Sequence, residues 1–131
     1  MAQTTTKSSI DHVTQALATV PAISAEEALS LLDSPDHVFV DLRDGHEQAK
    51  TGVIAGAIAS SRGMIEFHFD PKCPAHKPEF NQAKTYIFYC ASGGRSAMAT
   101  CVALEMGLSP VVNLTGGASA WKKRAEPCMP G

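Results

Sequence analysis

The chain has 131 residues, of which 44% are hydrophobic and 18% are charged, and its net charge at pH 7 is −2. Such a length and composition indicate one globular domain that buries a core without help from disulfides or metals. Because lysine and arginine form no concentrated stripe, we expect no nucleic-acid partner.

We expect no export signal in the N-terminal segment, residues 1–21. It is too polar for the core of a signal peptide, and no run in the chain reaches the roughly 18 apolar residues that a membrane span needs. We therefore expect a cytoplasmic protein without a membrane partner. The segment has an apolar stripe at helical spacing, formed by Ile10, Val13, Leu17 and Val20. This stripe predicts a leading helix that packs on the domain's own sheet or on a second subunit, so the oligomeric state stays open.

Helix and strand signals alternate through the rest of the chain. A capping box begins at Ser24 and ends at Glu27, and the apolar spacing after it predicts a helix at 25–33. The later signals predict a strand at 38–40, a helix at 44–50, a turn into a strand at 53–59, a strand at 86–89, a helix at 96–107, a strand at 111–114 and a helix at 118–124. This alternation predicts an α/β domain with a mainly parallel sheet.

Ligands of such sheets bind at the carboxyl ends of the strands. Asp41 and Arg43 follow one predicted strand, where we expect them to form a scaffold ion pair rather than to touch a substrate. The polar segment 67–84 has three prolines and no clear period, and we expect it to fold over the mouth of the site. Arg62 and Glu66 flank that predicted mouth.

The most informative segment is a loop between a predicted strand and a predicted helix. It consists of Cys90, Ala91, Ser92, Gly93, Gly94, Arg95 and Ser96. Unpaired N–H groups at a helix N-terminus stabilise a thiolate and any anion beside it. The two glycines allow the main chain to curl tightly around the sulfur, and Arg95 adds a permanent cation. The sequence therefore predicts a nucleophilic Cys90 in an anion-binding loop.

Cys90 has two other interpretations. A buried structural cysteine is disfavoured by the Gly-Gly-Arg-Ser sequence beside it, which is poor for packing and useful for anions. A cysteine phosphatase or arsenate reductase uses a similar ring of amides closed by arginine. However, four residues separate Cys90 from Arg95 where phosphatase loops have five, and Tyr89 stands where tyrosine phosphatases carry His. The shorter loop favours a single sulfur atom.

Over about residues 22–127, the chain resembles the single-domain rhodaneses, a family of sulfurtransferases. The likeness lies in five segments in the right order: 38–43 with Glu47, 52–58, 61–67 with Asp70 and Pro71, 90–96, and 114–117 with Ala120 and Trp121. Val53 and Ala55 replace the family's customary His and Pro. The resemblance implies a three-layer rhodanese-like domain with helices on both faces of the sheet. Residues 1–21 would then be an N-terminal extension and residues 128–131 a C-terminal tail.

The resemblance also implies a reaction. The Cys90 thiolate would take a sulfane sulfur from a donor such as thiosulfate, and the resulting persulfide would pass that sulfur to cyanide or a thiol. The amides of residues 91–96 would hold the persulfide sulfur, and Arg95 would hold the anionic donor. Arg62 would be either a second contact for the donor or part of a solvated helix face. No metal or organic cofactor is implied. The alternative is a carrier that delivers sulfur to a protein partner.

Other polar residues give weaker signals. His68, Cys73 and His76 are closely spaced, but three ligands on a proline-rich loop are a poor zinc signature, and we expect no metal. Cys73 and Cys128 are either relay thiols or ordinary exposed cysteines. All four cysteines are expected to stay reduced: Cys73, Cys90, Cys101 and Cys128.

Three further residues are expected to serve packing. Cys101 shares the apolar face of its predicted helix, which places it in the core. Trp121 is expected to pack the last helix against the sheet. The Gly116 and Gly117 pair predicts a tight turn from strand to helix.

Overall fold

Five parallel strands form the centre of the structure, a computed structural model that describes residues 2–125. The strands are β1 (Ala22–Ile23), β2 (His37–Asp41), β3 (Ile58–Ala59), β4 (Thr85–Tyr89) and β5 (Val111–Leu114). The helices are α1 (Ser9–Thr19), α2 (Ala25–Ser30), α3 (Gly45–Thr51), α4 (Ile65–Phe69), α5 (Gly94–Glu105) and α6 (Gly117–Ala125), with a short 3₁₀ helix at Pro78–Phe80. The sheet order is β1-β5-β4-β2-β3.

Helices cover both faces of this sheet, which confirms the predicted three-layer α/β fold. One face packs against α4 and α5, and the other packs against α2 and α6. Trp121 of α6 is 1% exposed and meets the ring of Phe39 edge to face at 5.4 Å, as predicted for a packing residue. No helix within residues 2–125 combines the length and the apolar character that crossing a membrane requires.

Most predicted elements are present, with shifts at their ends. The helix predicted at 25–33 ends at Ser30, and the one predicted at 96–107 begins at Gly94, inside the predicted loop. Three short elements were not predicted: β1, α4 and the 3₁₀ helix. Each has six residues or fewer, and β1 is stabilised by pairing with β5, a distant segment that local pattern does not reveal.

The prediction that segment 67–84 covers the mouth of the site is wrong. The aromatic ring of Phe80 packs against Phe69 and Tyr86, with ring centroids 4.7 and 5.6 Å away. Tyr86 lies near the start of β4, and the segment shares a cleft there with Gly107, just beyond α5. Burial of Phe80 therefore draws the segment toward the end of the sheet opposite Cys90.

The N-terminal helix lies beside the mouth instead. A capping box between Ser8 and Asp11 begins α1, which packs on α5. A Cβ placed on Gly94 would lie only 3.2 Å from Val13 Cγ2, so α1 approaches the start of α5 closely. Ile10 and Leu17 remain 73% and 46% exposed. The predicted leading helix is present, but of its stripe Val13 packs on α5 rather than on the sheet, while Ile10 and Leu17 face outward.

A buried phenol ties three segments together at the carboxyl edge of the sheet. The Tyr89 hydroxyl donates to Asp41 Oδ2 at 3.0 Å and accepts from the Ile54 N–H at 3.1 Å. Burial raises the pKa of this hydroxyl, and the neighbouring Asp41 charge adds to the effect. Tyr89 therefore stays protonated and keeps donating to the carboxylate.

We expect Tyr89→Phe to lower the free energy of unfolding by about 2 kcal/mol, because it leaves the Ile54 N–H unpaired and removes a donor from Asp41. Urea denaturation at pH 7 measures this loss. The matched control is Tyr86→Phe, since the Tyr86 hydroxyl bonds only to partly exposed backbone groups. A loss from Tyr86→Phe as large as that from Tyr89→Phe would contradict the explanation.

Candidate active site

Cys90 directly follows β4 and lies at the base of the loop that leads into α5. Its sulfur accepts the Gly93 N–H at 3.1 Å and the Ser96 N–H at 3.4 Å. The Ser96 hydroxyl oxygen lies 3.5 Å from the same sulfur. Cys90 is only 1% exposed, so its own loop encloses it. The structure thus brings Cys90, Gly93 and Ser96 together as the sequence predicts.

Two opposing effects act on the thiol. Burial raises its pKa, because desolvation disfavours the thiolate. Hydrogen bonds from the Ser96 hydroxyl and from the N–H groups of Ser96, Gly93 and Ser92 lower it, and together they prevail, so the pKa of Cys90 lies below its ordinary value. The N-terminus of α5 adds the positive end of its dipole. The site therefore favours the thiolate, which is the nucleophilic form, more than the surroundings of an ordinary cysteine do.

The two loop glycines serve different purposes. Gly93 has a φ of 102°, a conformation that other residues resist, and this turns its N–H toward the sulfur. Gly94 has no such φ, so the predicted tight curl depends on Gly93 alone. Gly94 instead leaves room for Val13 of α1, as its close approach shows.

The start of α6 holds the loop from behind. Its Ala118 N–H donates to the Cys90 carbonyl at 2.7 Å, and its Ser119 N–H donates to the Ala91 carbonyl at 3.0 Å. Gly117 has a φ of 59°, and a Cβ there would meet the Cys90 carbonyl oxygen and lie 2.9 Å from Ala91 C. Gly117 is thus required for contact with the loop, beyond the tight turn that its sequence predicts.

Arg95 is bonded by a residue whose role the sequence did not reveal. Its Nη1 and Nη2 donate to the two carboxylate oxygens of Glu47 at 2.7 and 2.8 Å. The Arg95 bond lowers the pKa of Glu47 to about 2, and the same bond raises the pKa of Arg95. The structure therefore brings Arg95 to Glu47 instead of leaving its guanidinium free above the sulfur. The sequence signals for Glu47 are its capping box with Asp44 and its place in the first of the five family-like segments, and neither indicates a bond to Arg95.

Asp41 and Arg43 form the scaffold pair that the sequence predicts. Arg43 Nε and Nη2 donate to Asp41 at 3.0 and 2.8 Å, and its remaining donors reach Thr51 Oγ1 and the Gly52 carbonyl, both at 2.7 Å. Both members are at most 3% exposed. With every charge paired, this group fixes the segment from β2 to the end of α3.

Arg62 does not join the loop around the sulfur. It lies in a cleft between α1 and α5 that contains none of residues 90–96. Its Nη1 is 3.7 Å from Glu66 Oε1, and its buried Nε has no hydrogen-bond partner. Contact with a sulfur donor therefore stays a prediction from the family resemblance.

The other cysteines and histidines are dispersed. Cys101 is half-buried against Thr19 of α1, so its predicted place in the core is wrong: that face of α5 meets a helix and not the sheet. Cys73, Cys90 and Cys101 form no disulfide, and Cys128 lies outside the described residues. Within residues 2–125 no cluster of three or more His, Cys, Asp or Glu is placed to hold a metal ion. His68 Nδ1 bonds to Ser60 Oγ at 2.7 Å instead.

A cleft of about 160 Å³ opens beside the loop at Ala91, between α3 and α6. Glu47 forms part of its wall, and the exposed Lys50 and Lys122 stand on its two sides. Their ammonium groups make this approach to the loop favourable for small anions.

Comparison with known proteins gives a consistent result. A family model described as a rhodanese-like domain matches residues 24–124. A sulfurtransferase from Allochromatium vinosum is 32% identical over 105 residues, which is 79% of this chain and 90% of that protein. The structure of a human single-domain sulfurtransferase has a TM-score of 0.67 at 26% identity, covering 79% of this chain and 96% of its own.

A solved structure from Rhodopseudomonas palustris is similar over almost the whole chain. Its TM-score is 0.90 at 39% identity, and the match covers 97% of this chain and 98% of that one. That protein is described as one of unknown function and a possible tyrosine phosphatase. The family model begins at residue 24, so α1 lies outside it. The match to the Rhodopseudomonas palustris structure, in contrast, leaves only 3% of this chain uncovered.

We expect Gly117→Ala to push the Cys90 carbonyl away from α6 and so to disturb the donors around the sulfur. The Cys90 thiol should titrate at higher pH, which thiolate absorbance at 240 nm measures. The free energy of unfolding should fall by at least about 2 kcal/mol. Gly107→Ala is the matched control, because Gly107 also has a positive φ but nothing within 4 Å of its missing Cβ. If both variants shift the titration equally, the contact with the loop is not the cause.

Glu47→Gln tests the ion pair with Arg95. The two side chains are 29% and 37% exposed, so we expect the variant to lose only about 0.5–1 kcal/mol of stability at pH 7. Because folding lowers the pKa of Glu47 from 4.5 to about 2, this contribution is complete above pH 4.5 and disappears as the pH falls toward 2. Urea denaturation of both proteins across this range measures it. A difference that does not change with pH would refute the assignment.

Proposed function

Because this chain belongs to the rhodanese-like domain family, we propose that it transfers a sulfane sulfur from a small anionic donor such as thiosulfate to a thiol or cyanide through a persulfide on Cys90. A sulfurtransferase or sulfur-carrier role agrees with the relatives named above. The observation that carries the proposal is the enclosed Cys90 sulfur, which receives hydrogen bonds from Gly93 and Ser96 of its own loop. Such donors stabilise a thiolate without any metal.

The first step is attack on the donor. The Cys90 thiolate forms a bond to the outer sulfur of thiosulfate, the sulfur–sulfur bond of thiosulfate breaks, and its electron pair leaves on sulfite. The negative charge of the resulting persulfide resides on the outer sulfur, beyond Sγ. The backbone N–H groups of the loop, residues 91–96, would stabilise it.

The second step regenerates the thiolate. A cyanide or thiolate acceptor attacks the outer sulfur, a carbon–sulfur or sulfur–sulfur bond forms, and the bond to Sγ breaks with its electrons returning to Cys90. Donor and acceptor are both anions, and Lys50 and Lys122 favour their approach through the cleft beside Ala91. Arg95 contributes charge at the rim while its bonds to Glu47 hold the loop in place.

A cysteine phosphatase is the second candidate, because the Rhodopseudomonas palustris relative is described as a possible tyrosine phosphatase. A phosphatase must surround a tetrahedral oxyanion with loop amides and a free arginine. In this chain the loop has four residues between Cys90 and Arg95, and Glu47 occupies the guanidinium. These features favour the transfer of a single sulfur atom.

Incubation with thiosulfate, followed by intact-mass measurement, tests the proposal. We expect the wild-type protein to gain one sulfur atom and Cys90→Ser to gain none. Addition of cyanide should then remove that sulfur and release an equal amount of thiocyanate.

Cys101→Ser is the matched control, since Cys101 lies against α1 and outside the loop, and it should load and release sulfur like the wild type. If the folded wild-type protein gains no sulfur from thiosulfate, the proposal that thiosulfate is the donor would be overturned. If the loaded sulfur resists cyanide but is transferred to a protein thiol, the carrier role would be supported. Hydrolysis of p-nitrophenyl phosphate that depends on Cys90 would support the phosphatase.

A further inference from the structure

A buried asparagine lies behind the loop and takes no part in the steps above. Asn113 of β5 is 0% exposed. Its Nδ2 donates to the Gly93 carbonyl at 3.4 Å, and its Oδ1 lies 2.6 Å from the Ser96 hydroxyl oxygen. Because a flipped amide would set Oδ1 against the Gly93 carbonyl, the Gly93 contact keeps Oδ1 turned toward Ser96.

The Ser96 hydroxyl has one proton and two acceptors within reach. Asn113 Oδ1 is at 2.6 Å and Cys90 Sγ is at 3.5 Å. We propose that Asn113 and the Cys90 sulfur compete for this single proton, so that Asn113 is a positioning residue that acts on Cys90 through Ser96. The competition matters because all three groups are buried, and a buried acceptor without a donor is unfavourable.

The acceptor changes with the state of the sulfur. When Cys90 is a thiol, its S–H donates to the Ser96 oxygen, and the Ser96 hydroxyl donates to Asn113. When Cys90 is a thiolate, the hydroxyl rotates to donate to the sulfur, and Asn113 Oδ1 loses its donor. Asn113 therefore opposes formation of the thiolate. In the persulfide, which rests on the proposed function, Sγ is no longer anionic and the proton returns to Asn113.

Charged neighbours do not account for this effect. The elements around the loop carry several titratable or charged groups: Asp11 and His12 on α1, Asp41, Arg43 and Asp44 at and after the end of β2, His46, Glu47 and Lys50 on α3, Arg62 near α1, Tyr86 and Tyr89 on β4, Arg95, Cys101 and Glu105 on α5, and Lys122, Lys123 and Arg124 on α6. None of them bonds to the Ser96 hydroxyl, whose polar neighbours among the described residues are the Cys90 sulfur and Asn113. Substitutions at Asn113 leave all of these charges in place.

Titration of the Cys90 thiolate by absorbance at 240 nm, corrected with Cys90→Ser, tests the proposal. We expect Asn113→Leu to lower the titration midpoint by about half a pH unit, because the Ser96 proton becomes fully available to the sulfur. Ser96→Ala should raise the midpoint by a similar amount. In the Ser96→Ala background, Asn113→Leu should cause no further shift, since the shared proton is gone.

Asn113→Val, which suits a strand and is smaller, repeats the test if the leucine variant is poorly folded by circular dichroism. Val112→Ala is the matched control in the same strand, because Val112 packs on the opposite face of the sheet, and it should leave the midpoint unchanged. The proposal would be overturned if Asn113→Leu left the titration midpoint unchanged or raised it. It would also be overturned if Asn113→Leu lowered the midpoint equally in the Ser96→Ala background. The titration needs no sulfur donor, so failure of thiosulfate loading would not affect its outcome.

Discussion

The central constraint of the structure is that the Cys90 sulfur, on which a negative charge would form, is only 1% exposed to water. Such a charge is stable only if hydrogen-bond donors replace the lost water, and the loop supplies them from its own backbone at Gly93 and Ser96. In this loop the N–H groups point toward the sulfur, and the carbonyls of Cys90 and Ala91 point away from it, toward α6. The first turn of α6 satisfies both carbonyls, which is why that helix must approach the loop so closely. The position of α6 therefore completes the hydrogen bonding of the loop that encloses the sulfur.

Two ion pairs hold the walls of the site, and they do so differently. Asp41 and Arg43 are buried and bonded on all sides, so they lock the segment after β2 without access to a ligand. Glu47 and Arg95 are part-exposed and link α3 to the start of α5. The first pair sets the scaffold, and the second holds the rim of the loop next to the cleft. Neither pair hydrogen-bonds to the sulfur, whose donors are the backbone amides and the Ser96 hydroxyl of its own loop.

Relatives with this fold carry different descriptions, and fold alone does not choose among them. The choice rests on the site: a short loop, an arginine held by Glu47, and a sulfur surrounded at hydrogen-bond distance. These features suit the transfer of one sulfur atom better than the binding of an oxyanion, which needs a wider ring of donors. The competition proposed for Asn113 adds a means of tuning the same sulfur from behind the loop.

The sequence by itself determined the α/β architecture, the leading helix and the loop around Cys90, because capping boxes, apolar runs and glycines act over a few residues. Tertiary structure alone decided the partner of Arg95, which lies 48 residues away at Glu47, and the pairing of Ser96 with Asn113, 17 residues away. It also decided the course of segment 67–84, which follows the burial of Phe80. Such contacts depend on how elements pack, and local pattern carries no information about which distant side chains will meet.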